Sequence, residues 1–196
     1  MGMMNASAAL QLLLDAQRLK RTPRTGWVTR GVPDAESVAD HSFGVAFVSL
    51  ILGEMVEHRL DKTKLLTIAL LHDLPESVIG DLATPATVHF PPDAKRKAET
   101  NALNELLSGL PPDCARHWRS WWQEFEDGTS IEGQIVRDAD RLDMLIQAYV
   151  YERTTGNRWL GEFWPSSEEQ PFKFPATQSL YEELKVLHQH VRTRRA

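Results

Sequence analysis

At 196 residues and 22.2 kDa the chain has the length of one ordinary domain. A composition of 42% hydrophobic and 25% charged residues excludes disorder and fibrous repetition. Twenty-two basic against 27 acidic side chains give a net charge of -5 and a pI of about 5.8, the wrong balance for a general binder of nucleic-acid polymers. The longest nearly unbroken apolar stretch, Val45 to Leu52, is under half of the roughly 20 residues that a membrane span needs. Met1–Asn5 has neither the basic nor the apolar part of a secretory signal, and the single Cys114 forms no internal disulfide and no Cys-based zinc site. The expectation is a cytoplasmic protein that does not engage a membrane.

The elements read as helices from end to end, with no repeat at a period of roughly 20–50 residues. Ser7–Arg21 carries Leu10, Leu13, Leu14 and Ala16 behind Asn5 or Ser7 as cap. Glu36–Arg59 spaces Val38, Val45, Val48, Leu52 and Val56 at helical intervals. A third helix runs from Lys62 to Ile79, capped by Asp61 and ended by Gly80. Pro91–Leu107 follows with Pro92 near its start, then the tryptophan-rich Pro112–Glu126, then Ile131–Arg153 and Thr177–Arg194. Asp81–Asp93 is a loop by its prolines. Thr154–Ala176 is a longer one, with aromatics that read as a strap holding it to the helices. Alternation of the kind that marks strands is nearly absent, so the fold class is all-α.

Chemistry concentrates at three places. His72 shares one buried stripe with Leu65, Ile68 and Ala69, Asp73 is turned about 100° away from it at the stripe's edge, and a carboxylate beside a buried imidazole is costly without a compensating cation. His41 opens the other strongly apolar helix. Asp138, Asp140 and Asp143 interrupt a core-like helix, and periodicity does not choose among them; the plainer reading pairs two of the three with Arg137 or Arg141. Five of the 22 basic residues fall within Arg18–Arg30, with no acid among them. Arg24 and Arg30 are candidates for a bidentate grip on phosphate, and Trp27 packs either on a base or on the core. His58, His89 and His117 are isolated, and His188 with His190 lies in a basic tail. Trp118, Trp121 and Trp122 read as core or as a dimer surface.

His41, then His72-Asp73, then Asp140, each on its own helix, resembles the H…HD…D signature of the HD-domain metal-dependent phosphohydrolases. The blocks Lys20–Trp27, Glu36–His41, His72–Glu76 and Gly80-Asp81 resemble the 5′-deoxynucleotidase branch, with a match spanning roughly Leu10 to Tyr151. The resemblance implies a single-domain HD-type helical bundle over residues 1–196, with a core from about 10 to 151 and an aromatic loop and C-terminal helix over 154–196. It implies His41, His72, Asp73 and Asp140 as ligands of one divalent ion between helices, Glu76 as the catalytic glutamate and Asp81 as a second active-site acid. Some bacterial members carry Arg immediately before the Trp, where this chain has Gly26. Two imidazoles with two carboxylates suit Mn, Fe, Co, Ni or Zn better than Mg. Glu76 lies one turn beyond His72 and so points to the ion. The expected activity is hydrolysis of deoxyribonucleoside 5′-monophosphates. The alternatives are an HD-type phosphohydrolase of triphosphate, cyclic or signalling nucleotides, and a regulatory module that holds metal and nucleotide without turnover. The tryptophan-rich helix and the aromatic loop point to a homodimer.

Overall fold

Helix α1 (Ala6–Ala16) begins at Asn5, whose side chain accepts the Ser7 N–H at 2.9 Å, and continues as a 3-10 turn over Gln17–Arg21. The computed structural model describes residues 5–82, 88–164 and 171–193. The short α2 (Thr25–Val28) leads to α3 (Val38–Met55), α4 (Lys62–Leu71) and the single turn α5 (Glu76–Ile79). Then come α6 (Ala94–Leu106), α7 (Pro112–Asp127), α8 (Ile131–Thr155), a 3-10 segment over Arg158–Glu162, and α9 (Pro175–Thr193). The all-α reading holds: among the described residues the β pairing is one isolated bridge between Pro23 and Ser37. Parts of both expected loops, 83–87 and 165–170, and the last residue of the expected final helix, Arg194, lie outside the described residues.

The helix expected over Lys62–Ile79 is broken. Pro75 has no N–H to give to the Leu71 carbonyl, and its ring would collide with that carbonyl in a continuous helix. The chain therefore turns at His72–Pro75, with Leu74 N–H on Leu71 O, before α5 resumes. The break re-aims Asp73 and Glu76, so their positions come from a turn and not from a shared helical stripe.

Elsewhere the boundaries follow local chemistry. Ser37 and Asp40 form a reciprocal capping box at the start of α3, and Asp61 caps α4. Gly128, at φ 60°, closes α7 in the left-handed conformation that an L side chain resists and lets α8 start three residues later.

Helices α3, α4 and α8 form the centre, with α7 against α4 and α8, α9 against α8, and α6 against α5. Leu52, Leu65, Ile68 and Ile135 are fully buried where the central helices meet, each contributing about 1.5–3 kcal/mol of transfer free energy. A second cluster gathers Leu19, Val38, Leu71, Leu74, Leu103, Leu107 and Trp122, and a third joins Leu142 and Leu145 to Trp164, Phe172 and Tyr181. His41 falls between Val38 and Val45, and His72 between Ala69 and Leu74, so both imidazoles sit on the seam between the first two clusters.

Candidate metal centre

The antiparallel bridge at Pro23 and Ser37 sets the approach to the site. Arg24 N–H donates to Glu36 O at 2.9 Å and Val38 N–H to Thr22 O at 2.8 Å, which clamps the arginine-bearing segment to the start of α3. The capping box then places His41 on the first turn of α3 with no exposed surface. Its Nε2 lies 3.1 Å from Asp140 Oδ1 and 3.7 Å from Asp73 Oδ2, and its Nδ1 lies 2.8 Å from Asp143 Oδ2.

His72, buried at the end of α4, uses Nδ1 on the Ala69 carbonyl at 2.8 Å. A carbonyl only accepts, so Nδ1 carries a proton, and in the neutral ring the lone pair is on Nε2. Nε2 is 3.2 Å from Asp73 Oδ2 but not aligned for a hydrogen bond, and has no partner among the described residues. His41, His72 and Asp140 each offer a donor atom within 4.8 Å of the others. A buried lone pair with no donor facing it, next to two carboxylates, fits a cation. These residues could hold one, with Asp73 beside them.

The electrostatics favour the same conclusion. Burial works against a charged His41 and Arg24 adds to this, but hydrogen bonds to Asp140 and Asp143 outweigh both and raise it to about 10. Burial likewise opposes a charged His72, and Asp73 lifts it above the ordinary imidazole value. Asp73 is held well below the carboxylate range: burial opposes this, while His72, Arg24 and His41 prevail. Asp140 is lowered in the same sense, against burial, by His41 and His72. The carboxylates of Asp73, Asp140 and Asp143 thus surround the imidazole nitrogens and favour positive charge there, which a bound cation would supply in place of protons.

Glu76 is only 4% exposed, and its Oε2 has no hydrogen-bond partner among the described residues. Burial first, then Asp73 and Asp81, push its carboxyl up to about 9, with Arg24 and Lys95 pulling the other way. It is therefore a carboxylic acid at neutral pH. Asp81 is fixed beside the site: its Oδ2 accepts the Thr25 N–H at 2.6 Å and its backbone carbonyl accepts the Thr25 hydroxyl.

Arg24 donates to Asp73 Oδ2 at 3.2 Å, so it holds a site carboxylate and is not a free fork. Arg30 reaches Glu162 at 3.1 Å, donates to Gly26 O and lies over the Phe163 ring at 4.4 Å. Trp27 is 2% exposed, donates Nε1–H to Glu36 Oε1 at 2.8 Å and packs on Tyr151 and Phe163. These three residues still wall a cavity of about 310 Å³ together with Asp73, Glu76, Asp81 and Asp140. A second cavity, of about 540 Å³, opens beyond His72 and Asp73 towards Phe90, Phe125 and Arg137.

Lys95 and Arg141 line both cavities, and sequence reasoning missed them. Burial works against the Lys95 charge, but Glu99 and Glu76 raise it further. The one local signal for Lys95 is its i,i+4 pairing with Glu99.

The acid triplet of α8 also resolves. Asp138 accepts the backbone N–H groups of Lys173 and Phe174, and Asp143 binds His41, so neither follows the expected pairing with a neighbouring arginine. His188, read from the sequence as part of a basic tail, is buried, stacked on Trp164 at 3.8 Å and 2.7 Å from Glu152.

Imidazoles and carboxylates gathered from separate helices of an all-helical bundle define an HD-type centre. The HD domain family matches residues 16–171, and the chain belongs to that family. It is similar to the human protein named 5′-deoxynucleotidase HDDC2, with 36% identity over 147 residues, covering 75% of this chain and 70% of that one. The 5′-deoxynucleotidase hdd1 of Schizosaccharomyces pombe is 31% identical over 168 residues, 82% of each chain. A solved structure of a conserved hypothetical protein from Pyrococcus furiosus superposes with a TM-score of 0.77 at 38% identity, covering 92% of this chain and 99% of that one.

Proposed function

We propose that the chain is a metal-dependent phosphomonoesterase that converts deoxyribonucleoside 5′-monophosphates to deoxynucleosides and inorganic phosphate. The observation that carries this reading is the buried Nε2 of His72, without a hydrogen-bond partner among the described residues and next to His41, Asp73 and Asp140, with the buried carboxyl of Glu76 lining the adjoining cavity. The 5′-deoxynucleotidase names of the relatives support the choice of sugar and ester.

His41, His72, Asp73 and Asp140 would hold the ion, and their mixed nitrogen and oxygen donors suit Mn, Fe, Co, Ni or Zn. When bound, a divalent ion supplies polarisation of a phosphoryl oxygen and a coordinated water of lowered pKa. Water attacks phosphorus as the bond to the 5′ oxygen breaks. Glu76 gives its proton to that leaving oxygen, and the proton shed by the attacking water restores it. Arg24 and Lys95 offset the anionic charge of the phosphate beside Asp73 and Glu76, while Trp27 and Phe163 wall the cavity with apolar surface. Metal-loaded protein is expected to release phosphate from dAMP or dTMP faster than from AMP. Equal rates on both sugars would remove the deoxy preference, and no release with any of the five ions would remove the activity.

The chain also acts as a homodimer in this reading, through a different surface from the one expected. Trp122 is buried, and Trp164, Phe172 and Phe174 of the aromatic loop fill the core. Exposed apolar surface lies instead along α3, where Phe43, Phe47, Ile51 and Met55 recur at every fourth position. By length and composition α3 could also cross a membrane, with a mean hydropathy of 1.3. Its apolarity on all sides serves the core on one face and, in this reading, a second copy on the other.

A further inference from the structure

Asp140 and Asp143 stand three residues apart on α8 and grip the His41 ring from opposite ends, Asp140 at Nε2 and Asp143 at Nδ1. An oxygen bonded to Nδ1 lies across the ring from the point where Nε2 meets His72 and Asp140. Asp143 is therefore outside the donor cluster and acts on it only through His41. A carboxylate accepts and does not donate, so in the neutral ring that a metal ligand must be, Asp143 would keep the proton on Nδ1 and leave the Nε2 lone pair facing the centre. His72 has the same tautomer held by a neutral carbonyl. The two ligands thus differ in the charge behind them, and a carboxylate behind a ligating imidazole makes it a stronger donor.

The opposite wall of this contact is Gly44, one turn after Asp40 on α3. A Cβ placed there would overlap Asp143 Oδ1 and come within 2.7 Å of its Cγ. The backbone of α3 needs no glycine for conformation at this position, since it is helical with ordinary φ. Space for the Asp143 carboxylate is what the missing side chain provides, and a side chain at 44 displaces that carboxylate from its present place against His41.

We propose that Asp143 is a positioning residue that orients His41 and sets its donor strength towards the metal, and that Gly44 is the vacancy that lets it reach the ring. The inference rests on His41 being a ligand. It is tested by Co²⁺ affinity, measured by chelator competition on metal-stripped protein, alongside turnover at saturating Co²⁺. Asp143→Ala is expected to weaken Co²⁺ binding by about 10–100-fold, the usual cost of losing such an outer partner, with a much smaller fall in kcat once the site is filled. Asp143→Asn keeps an oxygen that can accept from Nδ1–H and should recover part of the affinity. Gly44→Ala should match Asp143→Ala, and the double variant should bind no more weakly than either single one, because both changes break one contact.

Wild-type affinity in Asp143→Ala and Asp143→Asn, or losses that add in the double variant, would overturn the inference. If circular dichroism finds Asp143→Ala unfolded, the volume-matched Asp143→Asn decides. Wild-type protein that takes up no Co²⁺ would instead overturn the metal-centre reading itself, a result separable from normal uptake that is indifferent to residues 44 and 143.

Discussion

Glu76 shows the tension between burial and chemistry most sharply. A carboxyl lifted from 4.5 to about 9 is favoured by the fold only while it is protonated. The contribution to stability is complete below the unfolded value near 4.5 and is lost as pH rises through about 9, because over that window the unfolded chain ionises and the folded one does not. In metal-free protein, Glu76→Gln should therefore melt near the wild-type temperature at pH 5 and progressively above it towards pH 9. A chain of this size gains about 2–4 °C per kcal/mol. The same variant, loaded with metal, should keep its ion and lose about 10²–10⁴-fold in kcat, the typical worth of a general acid. A melting difference that stays flat between pH 5 and 9 would contradict the burial of a neutral acid. At this scale the sequence was legible where chemistry clashed with its surroundings: His41 and His72 stood out because they interrupt apolar stripes. The division of labour between Asp140 and Asp143 was not legible, since both share one face of α8 and only the position of His41 across the groove distinguishes them. Lys95 and Arg141 were hidden for a related reason, as a cation on a polar helix face has no local mark of the cavity that it lines.

Helix limits were readable wherever a cap or a glycine sets them, as at Asn5, Asp61 and Gly80. They were misread where one residue has two meanings. Pro75 was absorbed into a continuous helix because the apolar period runs through it, yet the turn it forces brings Asp73 and Glu76 to the site. Asp138 has a comparable role between elements. Its two oxygens accept the N–H groups of Lys173 and Phe174, at 3.0 and 2.9 Å, and so fix the entry to α9 on the side of α8. Asp138→Ala leaves two donors of this junction without an acceptor, at about 1–3 kcal/mol each. Urea unfolding should show a loss of about 2–6 kcal/mol, with the slope and the Co²⁺ affinity unchanged. If Co²⁺ affinity falls along with stability, Asp138 belongs to the metal centre, and its assignment to the α8–α9 junction is wrong.

At the scale of the whole molecule, α3 has two faces with opposite demands. Val38, His41, Val45, Ser49 and Leu52 are buried against α4 and α8, whereas Phe43 is 72% and Phe47 57% exposed, their rings stacked 6.3 Å apart. Two stacked phenylalanines left in water on a helix whose other face is buried are costly, and aromatic side chains of this kind are enriched at the centres of interfaces. A second exposed apolar patch, Leu10, Leu13 and Leu14 on α1, competes for the role. It is smaller, and α1 is joined to the bundle at its edge through Leu12 and Ala16. Light scattering of the wild-type protein should give twice 22.2 kDa. Phe47→Glu, which sets two like charges face to face across a two-fold contact, should give 22.2 kDa, while Leu13→Glu should leave the mass doubled. A Phe47→Glu protein that stays dimeric while Leu13→Glu dissociates would move the interface to α1. A wild-type mass of 22.2 kDa would leave α3 exposed for a partner other than its own copy.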